Sequence, residues 1–135
     1  MIAFFDTSVH IALLSGILSW DEALRIVGLN PVRLSPVVAS ELLRGVSGSG
    51  RRRVETLIDQ LLPLDPPSWR RCWYETGRLL PKIFPDYEAV GLARLQNDCL
   101  IAFTARYTGS LLLTADRHFA AIRRYSGFEM RIVEQ

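Results

Sequence analysis

Four acidic residues stand where a chain seldom spends a charge without a reason. Asp6 ends the apolar run IAFF, and Asp116 follows SLLLTA just as directly. Glu41 lies in SPVVASELLRG, beside Val38, Leu42 and Gly45, positions that a core-facing stripe would use. Asp98 is the second residue of NDCLIAFTA, a stretch otherwise apolar or small for two turns. Each acid alone has a modest explanation. Asp6 and Asp116 are placed to cap the helices after them, Glu41 is spaced to pair with Arg44, and Asp98 at a helix start suits the positive end of the dipole. Capping does not explain why Asn97, Asp98, Ala102 and Ala105 come together, as in a closely packed helix whose acidic end faces a pocket. Every one of the four acids follows a strand or falls in the first turns of a helix, so all four can converge on one edge of a parallel sheet. Such a cluster would repel itself and raise some of its own pKa values. A hard divalent cation removes that cost, and all-oxygen ligation suits magnesium or manganese.

The elements that must position these acids can be read along the chain. IAFF is a short buried strand, and a helix starts near Ser8 with Val9, Ala12, Leu13 and Ile17 apolar. Gly16 and Gly28 punctuate a helix pair, the second starting near Trp20. VRLSP gives a strand and then a start signal, Ser35 as N-cap with Pro36 at the first helical position, for a helix closing at Gly45. GVSGSG is a flexible joint before an amphipathic helix carrying Val54, Leu57, Ile58 and Leu61. LPLDPP allows at most a short strand. Helices are expected over about 68–80, ending before Pro81, over 87–94, and over QNDCLIAFTARYTG. SLLLTAD is a buried strand, RHFAAIRRYSG a short helix and MRIVE the last strand. Strands alternating with helices predict an α/β sandwich with a parallel sheet, in a single domain over residues 1–135.

Composition narrows the class. The chain has 135 residues, 49% hydrophobic and 22% charged, enough for a core without disulfide or metal staples. No apolar run approaches the roughly 20 residues of a membrane helix, and no signal-peptide pattern opens the chain, so the cytoplasm is the expected compartment. Cys72 and Cys99 fit no zinc spacing and read as reduced thiols. A net charge of +2, with 16 basic against 14 acidic residues, is too mild to establish nucleic-acid binding.

Taken together, FFDTSV, SELLRGV, NDCLIAFTA and LLTADRHF resemble the successive motifs of PIN-domain ribonucleases, in order and at the usual distances. Most closely they resemble the short VapC-type toxins of toxin–antitoxin pairs, and the resemblance spans nearly the whole chain. It implies a three-layer sandwich with a central five-stranded parallel sheet. It also implies an acidic pocket of Asp6, Glu41, Asp98 and Asp116 that is both catalytic and metal-binding, with Thr114 and Ser8 in support. The activity implied is hydrolysis of RNA phosphodiester bonds with one or two Mg²⁺ or Mn²⁺ ions. A homodimer and a cognate antitoxin that enters or blocks the acidic groove are the implied partners.

RNA would need a path to a pocket that repels it. Arg51, Arg52 and Arg53 form the densest basic run, and Arg117, Arg123 and Arg124 follow Asp116. They read either as phosphate contacts or as solvated helix faces. Trp69 and Trp73, four apart, read as base-stacking residues or as a core or dimer face. His10 and His118 read as a helix-surface residue and a local hydrogen-bonder beside the site. A phosphoacceptor receiver would need a lysine at a late strand end, yet Lys82 is the sole lysine and lies in LLPKIFP. A haloacid-dehalogenase-type phosphatase would need an aspartate where Ser8 stands. The remaining alternatives keep the fold: a PIN nuclease of RNA maturation, or an RNA-binding PIN module without a toxin role.

Overall fold

The computed structural model describes residues 1–134. In chain order the elements are β1 (Ala3–Phe5), α1 (Thr7–Ser15), α2 (Trp20–Val27), β2 (Val32–Arg33), α3 (Pro36–Arg44) and α4 (Ser49–Gln60). There follow α5 (Trp69–Ile83), α6 (Tyr87–Val90), α7 (Leu92–Thr108), β3 (Leu111–Thr114), α8 (His118–Tyr125) and β4 (Glu129–Ile132). The strands form one sheet in the order β2-β1-β3-β4, every pair parallel. In its centre Phe4 stands beside Leu112 and Phe5 beside Leu113.

Alternation along the strands sorts the core into two layers. Phe4 and Leu112 face a large cluster fed by Val38 and Leu42 of α3, Cys72 and Leu80 of α5, and Leu100 and Phe103 of α7. Ala3, Phe5, Leu111 and Leu113 face a smaller one, closed by Val9 and Ala12 of α1 and Ala23 and Val27 of α2. Helices therefore cover both faces, as buried parallel strands require.

The sheet has four strands, not the five implied by resemblance. The fifth position shrinks to one parallel bridge, Leu34 to Pro63, with the Leu34 N–H donating to Leu62 O and the Leu64 N–H to Leu34 O, both at 2.9 Å. Pro63 has no N–H to offer, and Pro66 and Pro67 stop the ladder from lengthening.

Three helices depart from expectation. α5 runs through Pro81 to Ile83, because the bond Pro81 cannot make would fall on the exposed carbonyl of Gly77 while buried Leu80, Ile83 and Phe84 anchor the last turn. The helix expected over 87–94 divides at Gly91, whose φ of 121° no ordinary side chain favours. α7 accordingly begins at Leu92, and Asp98 is its seventh residue, past the turn where the helix dipole acts. Ile17 lies beyond the end of α1 and is exposed. Other signals are realised as expected: Ser35 Oγ accepts from the Val37 N–H with Pro36 at the first helical position, and Gly109 closes α7 in the left-handed region. No helix among the described residues is long and apolar enough to cross a membrane.

Candidate active site

β1 and β3 are neighbours, so Asp6 and Asp116 leave the sheet at the same edge. Two hydroxyls clasp these exits. Ser8 Oγ donates to Asp6 Oδ1 at 2.6 Å and accepts from the Ala115 N–H at 3.1 Å. Thr114 Oγ1 donates to Asp6 Oδ2 at 2.6 Å and accepts from the Asp116 N–H at 2.9 Å. Asp6 also caps α1, accepting from the Val9 N–H at 3.1 Å. Its capping and its place in the pocket are one arrangement, not rival explanations. Burial raises the Asp6 pKa, the Ser8, Thr114 and Val9 hydrogen bonds pull against that rise, and the Asp116 charge adds to it.

Glu41, half-buried on α3, does not pair with Arg44. Thr7 Oγ1 at the start of α1 donates to its Oε1 at 2.6 Å, tying α3 to the Asp6 turn. Asp116 only partly serves α8: its Oδ1 accepts from the His118 N–H at 2.9 Å, while its Oδ2 accepts from Arg94 at 2.9 Å. Burial pushes Asp116 up, but the His118 N–H and the Arg94 guanidinium outweigh it, and its pKa falls below the usual carboxylate range.

Asp98 is the unbalanced member. It is 7% exposed, and its Oδ2 is a buried atom with no hydrogen-bond partner. Burial first, then the charges of Asp116, Glu41 and Asp6, push its pKa up to about 8, with only Arg94 opposing. The charges of all three other acids thus bear on Asp98. Oδ2 lies 4.0 Å from His118 Nδ1, and ligand-type atoms of Asp98, Asp116 and His118 sit within 4.8 Å of one another. A divalent cation fits this donor set: it would partner the orphaned oxygen and cancel the repulsion that lifts Asp98.

Sequence reasoning missed two residues here. Arg94 reaches across 22 positions to Asp116 and is the pocket's built-in counter-charge. Its spacing of four from Asp98 on α7 was the available signal. Thr7, the clasp of Glu41, stood unread within FFDTS.

Among the described residues, none of the arginines singled out in the sequence forms an ion pair with the four acids. Arg53 donates to Leu14 O at 2.7 Å, and Arg52 and Arg53 flank a surface hollow with Trp20 and Gln60. Arg53 also reaches an apolar groove of about 330 Å³ between α1, α3 and α4, lined by Ile11, Leu14, Leu42 and Val46, with Glu41 at its rim. Arg51 is exposed on α4. Arg117 points to Glu134 at 3.5 Å, and Arg123 and Arg124 line a separate hollow beside Met130. Trp69 is half-buried and donates to Asp65, whereas Trp73 is exposed; both border a hollow with Asn97 of α7.

His10 is not on the surface. It is fully buried, its ring centroid 5.3 Å from Phe5 and 6.4 Å from Trp20, and burial lowers its pKa to about 4. α1 is packed on two sides, so a one-sided reading of its periodicity fails. His118 is beside the site, but its Nδ1 makes no hydrogen bond.

The PIN domain family matches residues 3–125. The chain belongs to the PIN domain family. No curated protein sequence matches it. Among solved structures, a chain of VapBC-1 from nontypeable Haemophilus influenzae is 22% identical, with 98% of each chain covered and a TM-score of 0.71. VapBC2 from Rickettsia felis, bound to a DNA fragment from its promoter, is 17% identical over 99% of this chain and 100% of that one, with a TM-score of 0.68. DNA-bound VapBC from Salmonella typhimurium is 19% identical over 98% of each chain, at 0.67. At these identities the likeness is one of fold.

The raised pKa of Asp98 makes a prediction for the metal-free protein. The folded chain retains a proton that the unfolded chain has released, so this residue's contribution to stability is full below about pH 4 and is lost as pH rises towards 8. In chelator, Asp98→Asn should melt above wild type at pH values beyond 8 and converge with it near pH 4, a difference on the order of a few kcal/mol. Identical pH dependence of the two melting temperatures would contradict the placement of Asp98.

Proposed function

We propose that the chain is a metal-dependent endoribonuclease and the toxin of a VapBC-type toxin–antitoxin pair, acting in the cytoplasm. The observation that carries the proposal is Asp98 in a PIN fold: buried, with an Oδ2 that has no hydrogen-bond partner, and acted on by three further acids. Asp6, Asp98 and Asp116 would hold one or two Mg²⁺ or Mn²⁺ ions, with Glu41 contributing directly or through water. Such an ion supplies Lewis-acid activation of water and offsets the charge that builds on the scissile phosphate.

The chain's own residues do the rest. Ser8 and Thr114 fix both oxygens of Asp6, and Thr7 fixes Glu41, so neither carboxylate has to be ordered when substrate arrives. Arg94 holds Asp116 ionised and, being largely exposed, presents its guanidinium to an incoming phosphate. Arg51, Arg52 and Arg53 guide RNA along α4 towards Glu41, with Arg117 as a second contact beyond Asp116. An antitoxin segment with apolar side chains would enter the groove lined by Ile11, Leu14 and Val46 and cover the acids from there. The resemblance of fold to VapBC complexes supports this partner. Homodimerisation belongs to the same proposal, for which exposed Trp73, Tyr74 and Leu92 supply apolar area.

With purified protein, a structured RNA and Mn²⁺, Asp6→Asn or Asp98→Asn should lower cleavage by a factor of about 10³ or more while circular dichroism stays native. Near-wild-type cleavage by both variants would refute the assignment. Replacing Arg51, Arg52 and Arg53 by glutamine should weaken RNA binding and reduce the slope of log affinity against log salt by about 0.7 for each phosphate that is no longer neutralised. An unchanged slope would return these arginines to a solvated helix face.

A further inference from the structure

Two buried polar atoms lie 4.0 Å apart at the site, Asp98 Oδ2 and His118 Nδ1, each without a hydrogen-bond partner. His118 Nδ1 also lies 3.7 Å from Asp116 Oδ1. Both separations are too long for hydrogen bonds. They fall inside the range open to two atoms that share an ion. Two ligands about 2.1 Å from one centre are about 3.0 Å apart at right angles and about 4.2 Å apart when opposed. We propose that His118 Nδ1 is a ligand of the cation held by Asp98 and Asp116, giving the site a nitrogen donor that selects manganese-class transition ions over magnesium.

The ring is held for this task from two sides. Its edge packs on Phe84, with centroids 5.8 Å apart and planes at 61°. Its own backbone N–H is bonded to Asp116 Oδ1, so donor nitrogen and carboxylate belong to one short turn. Arg94 occupies the other oxygen of Asp116 and turns Oδ1 towards His118. Ligation requires the neutral tautomer with the proton on Nε2. Mg²⁺ is a hard ion that prefers oxygen and keeps its waters, whereas the first-row transition ions accept imidazole more readily, Mn²⁺ the least strongly of that series. A site with one imidazole and several carboxylates therefore discriminates by donor type rather than by charge.

Ligation by His118 rests on the metal-nuclease reading above but can fail separately from it. In electron spin-echo envelope modulation, Mn²⁺ bound to the wild-type protein should show coupling to ¹⁴N, and protein made with ¹⁵N-histidine should show the ¹⁵N pattern instead. His118→Gln should bind Mn²⁺ at least about tenfold more weakly, lose the nitrogen coupling, and retain nearly the wild-type response to Mg²⁺ in a thermal titration. Bound Mn²⁺ without nitrogen coupling in the wild type, or with coupling that persists in His118→Gln, would overturn the role of His118 and leave the carboxylate site standing. Failure of wild-type protein to bind Mn²⁺ at all would overturn both.

Discussion

The parallel pairing of β1 with β3 is the constraint on which the site depends. Phe4 beside Leu112 and Phe5 beside Leu113 bring two strand exits, 110 positions apart in the chain (116 − 6), to one edge of the sheet. Slipping this register by one residue would turn Phe4 and Leu112 out of the larger core and separate Asp6 from the hydroxyl of Thr114. Burial on both faces makes that slip costly, so the hydrophobic layers are what hold like charges close. Ser8 and Thr114 then complete the join, each passing one hydrogen bond from the β3 exit to Asp6.

Within that frame the acids are not equivalent. Asp6 accepts from three donors, Asp116 has Arg94, and Glu41 has Thr7. The buried Oδ2 of Asp98 has no hydrogen bond, and the charges of the other acids outweigh that of Arg94. Its seat in the middle of α7 follows from the apolar run around it: Leu95, Cys99, Leu100 and Ala102 are buried, and the helix cannot rotate Asp98 into water without exposing them. The same burial drives the neighbouring Cys99 thiol up to about 12, so it has no nucleophilic part at neutral pH. Stability has been given up locally for a charge arrangement that a cation can complete. His118, anchored by Phe84, gives that arrangement its one nitrogen.

Much of this was legible in the chain because it rests on short-range patterns. Apolar runs ending in Asp6 and Asp116 reveal strand exits, and Ser35-Pro36 and Gly109 mark helix ends by their backbone chemistry. The parts that were not legible depend on distant partners. Arg94 looks like any exposed arginine until the fold carries it to Asp116, and Thr7 gives no sign of reaching α3. From the sequence His10 reads as a helix-surface residue, yet Phe5 and Trp20 pack against its ring. Gly91, not Gln96, sets the start of α7, which moved Asp98 out of reach of the dipole and left burial and like charge to govern it. The fifth strand, expected from likeness alone, gave way to prolines that were already visible in LPLDPP.

The most direct measurement is anomalous diffraction from crystals of the protein grown with Mn²⁺. A manganese peak is expected in contact with the carboxylates of Asp98 and Asp116, on the Asp6 side of the sheet edge, and it should disappear in Asp98→Asn. Saturating manganese with no peak in that pocket, or a peak that survives the Asp98 substitution, would contradict a cation-completed acidic site.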